Sequence, residues 1–259
     1  MDLGLKGRRA LVCASSKGLG FACAKALALE GVEVAINGRS EERLQAAARL
    51  IEDETRCSVQ TVVADLSLAE DRAALMKECP VADILINNNG GPPPGTFQNW
   101  DENDWLEAVN ANMIPALMLI RHFLPGMRER KFGRIINITS AMVKTPRAPM
   151  ALSSAARTGL TAACKALVPV VAPDNVTINA MLPERFDTDR QVGMAKLQAK
   201  RQGITYEDSR AAIAQSIAAK RFGEPSEFGA VCAFLCSAHT GFISGQNIQL
   251  DGGSYAGLV

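Results

Sequence analysis

Seven short runs of β-branched and apolar residues recur along the chain, and between most of them lies a longer amphipathic stretch. No other feature restricts the fold as strongly. The runs are RALVCA (9–14), VEVAIN (32–37), SVQTVVA (58–64), ADILIN (82–87), GRIINIT (133–139), NVTINAM (175–181) and QNIQL (246–250). Each is mostly apolar rather than alternating, as expected of strands covered on both faces. The intervening segments, such as GFACAKALALEG and SEERLQAAARLIEDE, have the composition of helices. This order predicts right-handed crossovers and an α/β fold: a doubly wound, seven-stranded parallel sheet with helices on both faces. No linker divides the 259 residues and no repeat is visible, so one domain is expected over 1–259.

Two stretches break the rhythm. GGPPPGTFQNW (90–100) reads as a loop directly after a strand. Residues from about 184 to 223 are polar and helical and too long for a plain connection, which suggests a lid-like insertion. Both follow strands, and ligands of such sheets bind beyond the strands' carboxyl ends.

Bulk properties exclude several partners. A net charge of +1 offers no basic field for nucleic acid. No apolar run approaches bilayer-spanning length, and the opening MDLGLKGRRALVCASS lacks a signal-peptide layout, which points to the cytoplasm. Seven cysteines lie mostly inside apolar segments and read as reduced core thiols. Cys232 and Cys236 share a helix face, but with only His122 and His239 in the chain no metal site is expected.

The chemistry concentrates at strand ends. CASSKGLGF (13–21) lies between a strand and a helix, and its small residues suit a tight turn that presents helix N–H groups to a pyrophosphate. Ser15, Ser16, Lys17, Gly18, Leu19 and Gly20 are the expected contacts, with Ala14 where a first glycine would stand. At the second strand end Asn37 and Arg39 occur without a carboxylate, and Lys17 adds a second cation. A 2′-phosphate fits there better than a bare ribose, so NADP(H) is preferred over NAD(H). Asp65 and Leu66 follow the third strand and suit the adenine, while Asn88, Asn89 and Gly90 follow the fourth.

In this order the motifs resemble the classical short-chain dehydrogenase/reductases, in particular the 3-oxoacyl-carrier-protein reductase-like branch, over essentially the whole chain. The resemblance implies a Rossmann-type domain that moves a hydride between NADP(H) and a small carbonyl or secondary alcohol. It assigns the active-site Asn to Asn110 in EAVNANM and the catalytic Ser to Ser140 in GRIINITSA. Pro183 and Thr188 become nicotinamide-side contacts, with Glu184 in the family's glycine position. The alanine- and serine-rich helix around MALSSAARTGLTAACKAL and the C-terminal tail imply a homotetramer, with a dimer as the next assembly.

One departure is central. The family carries Tyr thirteen positions after the catalytic Ser and Lys four positions later. Here those positions hold Ser153 and Arg157. Serine is a poor proton donor beside a phenol, and arginine stays protonated. Lys144 and Tyr206 are possible substitutes. Three readings follow: an oxidoreductase with its own proton path, a catalytically silent NADP(H)-binding sensor or scaffold, and an enzyme that uses bound cofactor without net redox change. Proline at 169 should kink or end the long helix early.

Overall fold

In the computed structural model, which describes residues 1–258, seven parallel strands form one sheet in the order β3-β2-β1-β4-β5-β6-β7. They are β1 (Arg9–Val12), β2 (Glu33–Gly38), β3 (Val59–Val63), β4 (Ile84–Asn87), β5 (Gly133–Ile138), β6 (Val176–Pro183) and β7 (Asn247–Leu250). The helices are α1 (Gly18–Leu29), α2 (Glu41–Thr55), α3 (Ala69–Glu78), α4 (Glu102–Asn112), α5 (Ile114–Glu129), α6 (Ala151–Val171), α7 (Asp189–Gln202), α8 (Tyr206–Ser216) and α9 (Pro225–Cys236). The chain winds outward from β1 to β3, then returns to place β4 on the other side of β1. Connections diverge at that point and leave a crevice at the carboxyl ends of β1 and β4.

The period of two in each strand divides the core into two layers. Val12, Ile36 and Ile86 pack with Leu27 of α1, Leu44 of α2 and Phe228 of α9. Their neighbours Leu11, Ala35 and Leu85 face the other way, onto Leu75 of α3, Phe123 of α5 and Leu160 of α6. Local signals start several helices. Ser40 caps α2, accepting from the Arg43 N–H, and Asp101 forms a reciprocal capping box with Asp104 at α4.

Three departures from the sequence expectation have local causes. The stretch DENDWLEAVNANMIPALMLIRHFLPGMRERK (101–131), which reads as one helical segment in the sequence, is two helices, because Pro115 has no N–H to return to the Ala111 carbonyl and the chain breaks at Met113. Pro169 does not shorten α6 much, since the helix runs on to Val171. With its flanking turns this helix spans Ala148–Asp174 and is long and apolar enough to cross a membrane, contrary to the expectation from apolar runs. Its apolarity is diluted among Ala, Ser and Thr. Leu152, Ala156, Leu160, Cys164 and Val171 along it are buried.

Residues after β6 form the helical pair α7–α8, closed at its base by a bridge between Phe186 and Gly223. Ala195, Ile213, Ile217 and Phe222 give the pair a small core of its own. The Ser209 hydroxyl, donating to the Ala195 carbonyl at 2.9 Å, ties one helix to the other.

Candidate active site

The turn from β1 into α1 follows backbone demands. Ala14 lies at φ 45° and Gly18 at φ 62°, both left-handed. At Gly20 a Cβ would fall 2.6 Å from the Ala14 carbonyl oxygen and 2.8 Å from the Asn88 amide nitrogen, so no side chain fits. The first turn of α1 is thereby drawn against the end of β4. A Cβ at Gly18 would point across to the Thr188 methyl at 3.8 Å, which sets these two segments on facing sides of the crevice. A glycine cradle at a helix N-terminus fits a dinucleotide pyrophosphate.

Two expected contact residues have a different task. Ser15 is fully buried and its hydroxyl donates to the Val12 carbonyl at 2.6 Å. Asn37 is 1% exposed, and its amide donates to the Val62 and Ala64 carbonyls, both at 3.1 Å. Buried polar groups at a strand end must pair, and these two pair inward, binding the ends of β1, β2 and β3 together rather than reaching a ligand. Leu66 is also buried and lines a small inner cavity, not the surface where adenine was expected. The rim retains the charges: Arg39 lies 3.7 Å from Asp65, and Lys17 lies 2.7 Å from Asp189 at the start of α7. The Asp65 carboxyl is held below its ordinary range, chiefly by the Ser67 N–H and then by the Ser67 hydroxyl.

The opposite wall is built around Arg157. From the second turn of α6 its Nε donates to Ser153 Oγ at 3.1 Å. One terminal nitrogen, Nη1, donates to the Ile138 and Thr139 carbonyls at 2.8 Å each, where β5 ends. Nη2 reaches the Asn89 carbonyl at 3.2 Å. One guanidinium therefore joins α6, β5 and the loop after β4. Burial pushes it down to about 10, with the charge of Arg190 adding to the effect, so it remains protonated at neutral pH. Ser153 is 3% exposed and accepts from that cation, which polarises its own O–H. Ser140 caps the turn after β5 by accepting from the Met142 N–H at 3.2 Å.

These residues face a cleft of about 270 Å³, open to solvent. Of the expected site residues, Leu19, Asn88, Asn89, Gly90, Ser140, Ser153, Arg157, Pro183 and Thr188 line it together. Ser16, Lys17, Gly18, Gly20, Arg39 and Asp65 belong to the adjoining turn and rim, outside that lining. Asn110 does not join them. It is exposed on α4 and donates to the Ser67 carbonyl at 3.1 Å. Asn112, two positions on and so roughly 200° round the helix, is the inward residue; it lines the small cavity with Asn87, Leu66 and Arg157. The Asn112 and Asn87 amide oxygens there have no partner among the described residues. The Ala111 carbonyl released by Pro115 accepts from the Asn89 side chain at 2.6 Å, so the helix break also anchors the loop after β4. The candidate substitute acids lie elsewhere. Lys144 sits over the Tyr255 ring at 5.2 Å, and Tyr206 packs against the core of the helical pair.

The remaining polar lining was not foreseen. Arg147, Arg190 and Gln191 join Glu184 and Arg185 at the cleft. Arg190 donates to the Gly91 and Pro92 carbonyls at 3.1 and 3.3 Å. No periodicity or spacing marks these arginines, because three separate loops and helix ends bring them together.

Comparison with known proteins agrees with the fold. A family model described as "Enoyl-(Acyl carrier protein) reductase" matches residues 13–255. The chain is 31% identical over 252 residues to the NADPH-dependent reductase BacG of Bacillus subtilis (strain 168), covering 95% of this chain and 97% of that protein. Against the 3-oxoacyl-[acyl-carrier-protein] reductase FabG of Aquifex aeolicus (strain VF5) the identity is 30% over 259 residues, covering 98% and 100%. The crystal structure of L-sorbose reductase from Gluconobacter frateurii, complexed with NADPH and L-sorbose, superimposes with a TM-score of 0.94 at 28% identity over the whole of both chains.

Proposed function

Because the chain belongs to the short-chain dehydrogenase/reductase family and its relatives are oxidoreductases, we propose that it is an NADP(H)-dependent oxidoreductase with an atypical proton-transfer site, acting on a small carbonyl compound or secondary alcohol. The observation that carries this reading is the hydrogen bond from Arg157 to Ser153 inside a cleft that Leu19 of the glycine turn also lines.

The turn Ser16–Gly20 and the loop Asn88–Gly90 would hold the dinucleotide, with Pro183 and Thr188 at the nicotinamide end. Arg39 and Lys17 at the rim favour a 2′-phosphate, which would compete with Asp65 and Asp189 for them. When bound, NADPH supplies the hydride for the carbonyl carbon. Ser140 and Ser153 hydroxyls orient the carbonyl oxygen and stabilise the charge that develops on it. The Ser153 proton is the one transferred, and Arg157 stabilises the serine oxygen left behind. Asn112, rather than Asn110, would hold a water beside Arg157 for reprotonation from solvent, which its position beside Arg157 in the small cavity supports. The product is the secondary alcohol.

The absence of Tyr and Lys at positions 153 and 157 favours a second reading, a catalytically silent NADP(H)-binding sensor or scaffold, or use of bound cofactor for a non-redox step. NADPH oxidation over a panel of ketones and 3-oxoacyl compounds decides, with the Ser153→Tyr/Arg157→Lys variant beside the natural protein. Turnover by the natural protein, undiminished relative to the variant, supports the reductase. A silent natural protein whose variant gains activity supports the sensor. The exposed stripe of Ala155, Thr158, Ala162 and Ala166 on α6 supports assembly as a homotetramer, with a dimer next. Light scattering on the purified protein tests it.

A further inference from the structure

The cleft carries more positive charge than its own residues neutralise. Four guanidinium groups, those of Arg147, Arg157, Arg185 and Arg190, line it against one carboxylate, Glu184. Among the described residues, Arg157 and Arg190 donate only to neutral oxygens. Arg147 and Arg185 share a single counter-charge: Arg147 donates to Glu184 Oε1 at 3.1 Å and Arg185 lies 3.8 Å from the same oxygen. The other nearby carboxylates are engaged elsewhere, Asp187 with Arg210 and Asp189 with Lys17. Burial pushes Arg185 and Arg190 below the ordinary arginine range, the direction expected of cations short of counter-charge.

A second observation points the same way. Gln191, 7% exposed, lines this cleft, and its amide nitrogen is a buried donor with no partner among the described residues. Leaving such a donor unmade is costly, and an oxygen acceptor brought by a ligand removes the cost. Part of the excess charge also lies away from the expected dinucleotide contacts. Arg147 and Arg185 line an adjoining outer cavity as well, together with Arg201 and Met194, and no residue of the glycine turn or of Asn88–Gly90 takes part there. The cofactor's phosphates therefore do not account for these two arginines. Arg185 is held in place with a left-handed backbone, φ 61°, at a position where the following chain turns into the helical pair.

We propose that the substrate is a small carbonyl compound bearing an oxyanion, its carbonyl at Ser140 and Ser153 and its carboxylate or phosphate between Arg147 and Arg185. This specifies the substrate class of the reductase reading above and rests on it. Planar guanidinium forks suit either oxyanion.

The test pairs each anion with an uncharged counterpart: levulinate against its amide, and dihydroxyacetone phosphate against dihydroxyacetone. Binding is measured by titration calorimetry with the protein alone and loaded with NADP+, and turnover by NADPH oxidation. One anion should bind at least about tenfold more tightly than its counterpart, and the pair that shows the gap identifies carboxylate or phosphate. The gap should narrow in high salt and close in Arg185→Gln. Arg147→Gln, at a half-exposed side chain the fold does not need, gives the same readout should Arg185→Gln fail to fold. Arg49→Gln, which removes one positive charge from the exposed face of α2, should leave the gap intact. Equal binding of both members in both pairs, or a gap that survives the loss of both arginines, overturns the proposal. NADPH binding and turnover without any gap would remove the anion site and leave the reductase. An arginine-dependent gap without turnover of any substrate would establish the anion site and remove the reductase.

Discussion

The two walls of the cleft hold their polar groups in opposite ways. On the β1–α1 side, Ser15, Asn37 and Asn88 spend their hydrogen bonds on neighbouring backbone, and glycine or strained backbone does the rest. On the α6–α7 side, arginines from distant segments converge with one carboxylate among them. The first wall is a shape, complete before any ligand arrives. The second is a charge whose counter-charge is incomplete. A shape tolerates no added atom, whereas a charge tolerates exchange only while its acceptors stay satisfied.

The largest effect expected from breaking this contrast is at Arg157. Replacing a buried charge with a hydrophobic residue is often harmless, because desolvation is relieved. Here Arg157→Met would strip donors from three carbonyls and from Ser153, so about 2–4 kcal/mol of stability should be lost in urea unfolding. Activity should fall by about 10²–10⁴ in the proposed reaction, the range expected for loss of acid–base support. The natural protein has a matching pH signature. Since burial holds Arg157 down at about 10, kcat should decline as pH rises through that value. Stability has the opposite sign. A cation whose folded pKa lies below its unfolded one burdens the fold at every lower pH. That burden lifts as pH climbs from about 10 toward the ordinary arginine range. Activity and unfolding free energy measured over the same alkaline interval should therefore diverge, and a parallel decline would contradict the assignment.

Gly20→Ala tests the other wall. The new methyl would meet the Ala14 carbonyl and the Asn88 amide at distances no Cβ tolerates, so the turn must open. A loss of about 2 kcal/mol is expected, with NADPH fluorescence enhancement abolished. Ser153→Ala is milder. It removes one hydroxyl and frees the Arg157 Nε–H, which remains beside the cleft where water can reach it. NADPH affinity should hold while kcat drops about 10- to 100-fold. An unchanged kcat would take Ser153 out of the proton path.

The contrast also explains what the sequence could disclose. Strand runs, the glycine turn and the pair Ser153–Arg157 on one helix face are local patterns, and each occurs in the structure where the spacing places it. Asn110 was misplaced for a local reason as well. Two asparagines stand one residue apart in NAN, and only helix phase decides which faces inward. Asn37 and Ser15 have the right position but face their own backbone, because a buried amide at a strand end finds carbonyls sooner than ligand. Arg147 and Arg190 left no trace, and Arg185 was legible only as charge beside Glu184 near the cofactor end of the pocket, since the meeting of the three depends on how the segments after β5 and β6 fold over the sheet. Shape was legible because it is made by neighbours in sequence; charge was not, because it is made by neighbours in space.

The smallest effect sharpens the comparison most finely. Ala14 occupies the left-handed region at φ 45°, where an alanine Cβ is strained and a glycine is not. Ala14→Gly relieves that strain but adds freedom to the unfolded chain, so the two terms oppose each other. Strain of about 1–3 kcal/mol against an entropic cost of about 1 kcal/mol leaves a net gain of about 0–2 kcal/mol. If the first wall is set by backbone shape alone, the variant should be slightly more stable and should bind NADPH at least as well, since its backbone keeps the same conformation with one fewer carbon beside the cofactor turn. A loss of stability would mean that the methyl group contributes packing there, and that this wall too depends on its side chains.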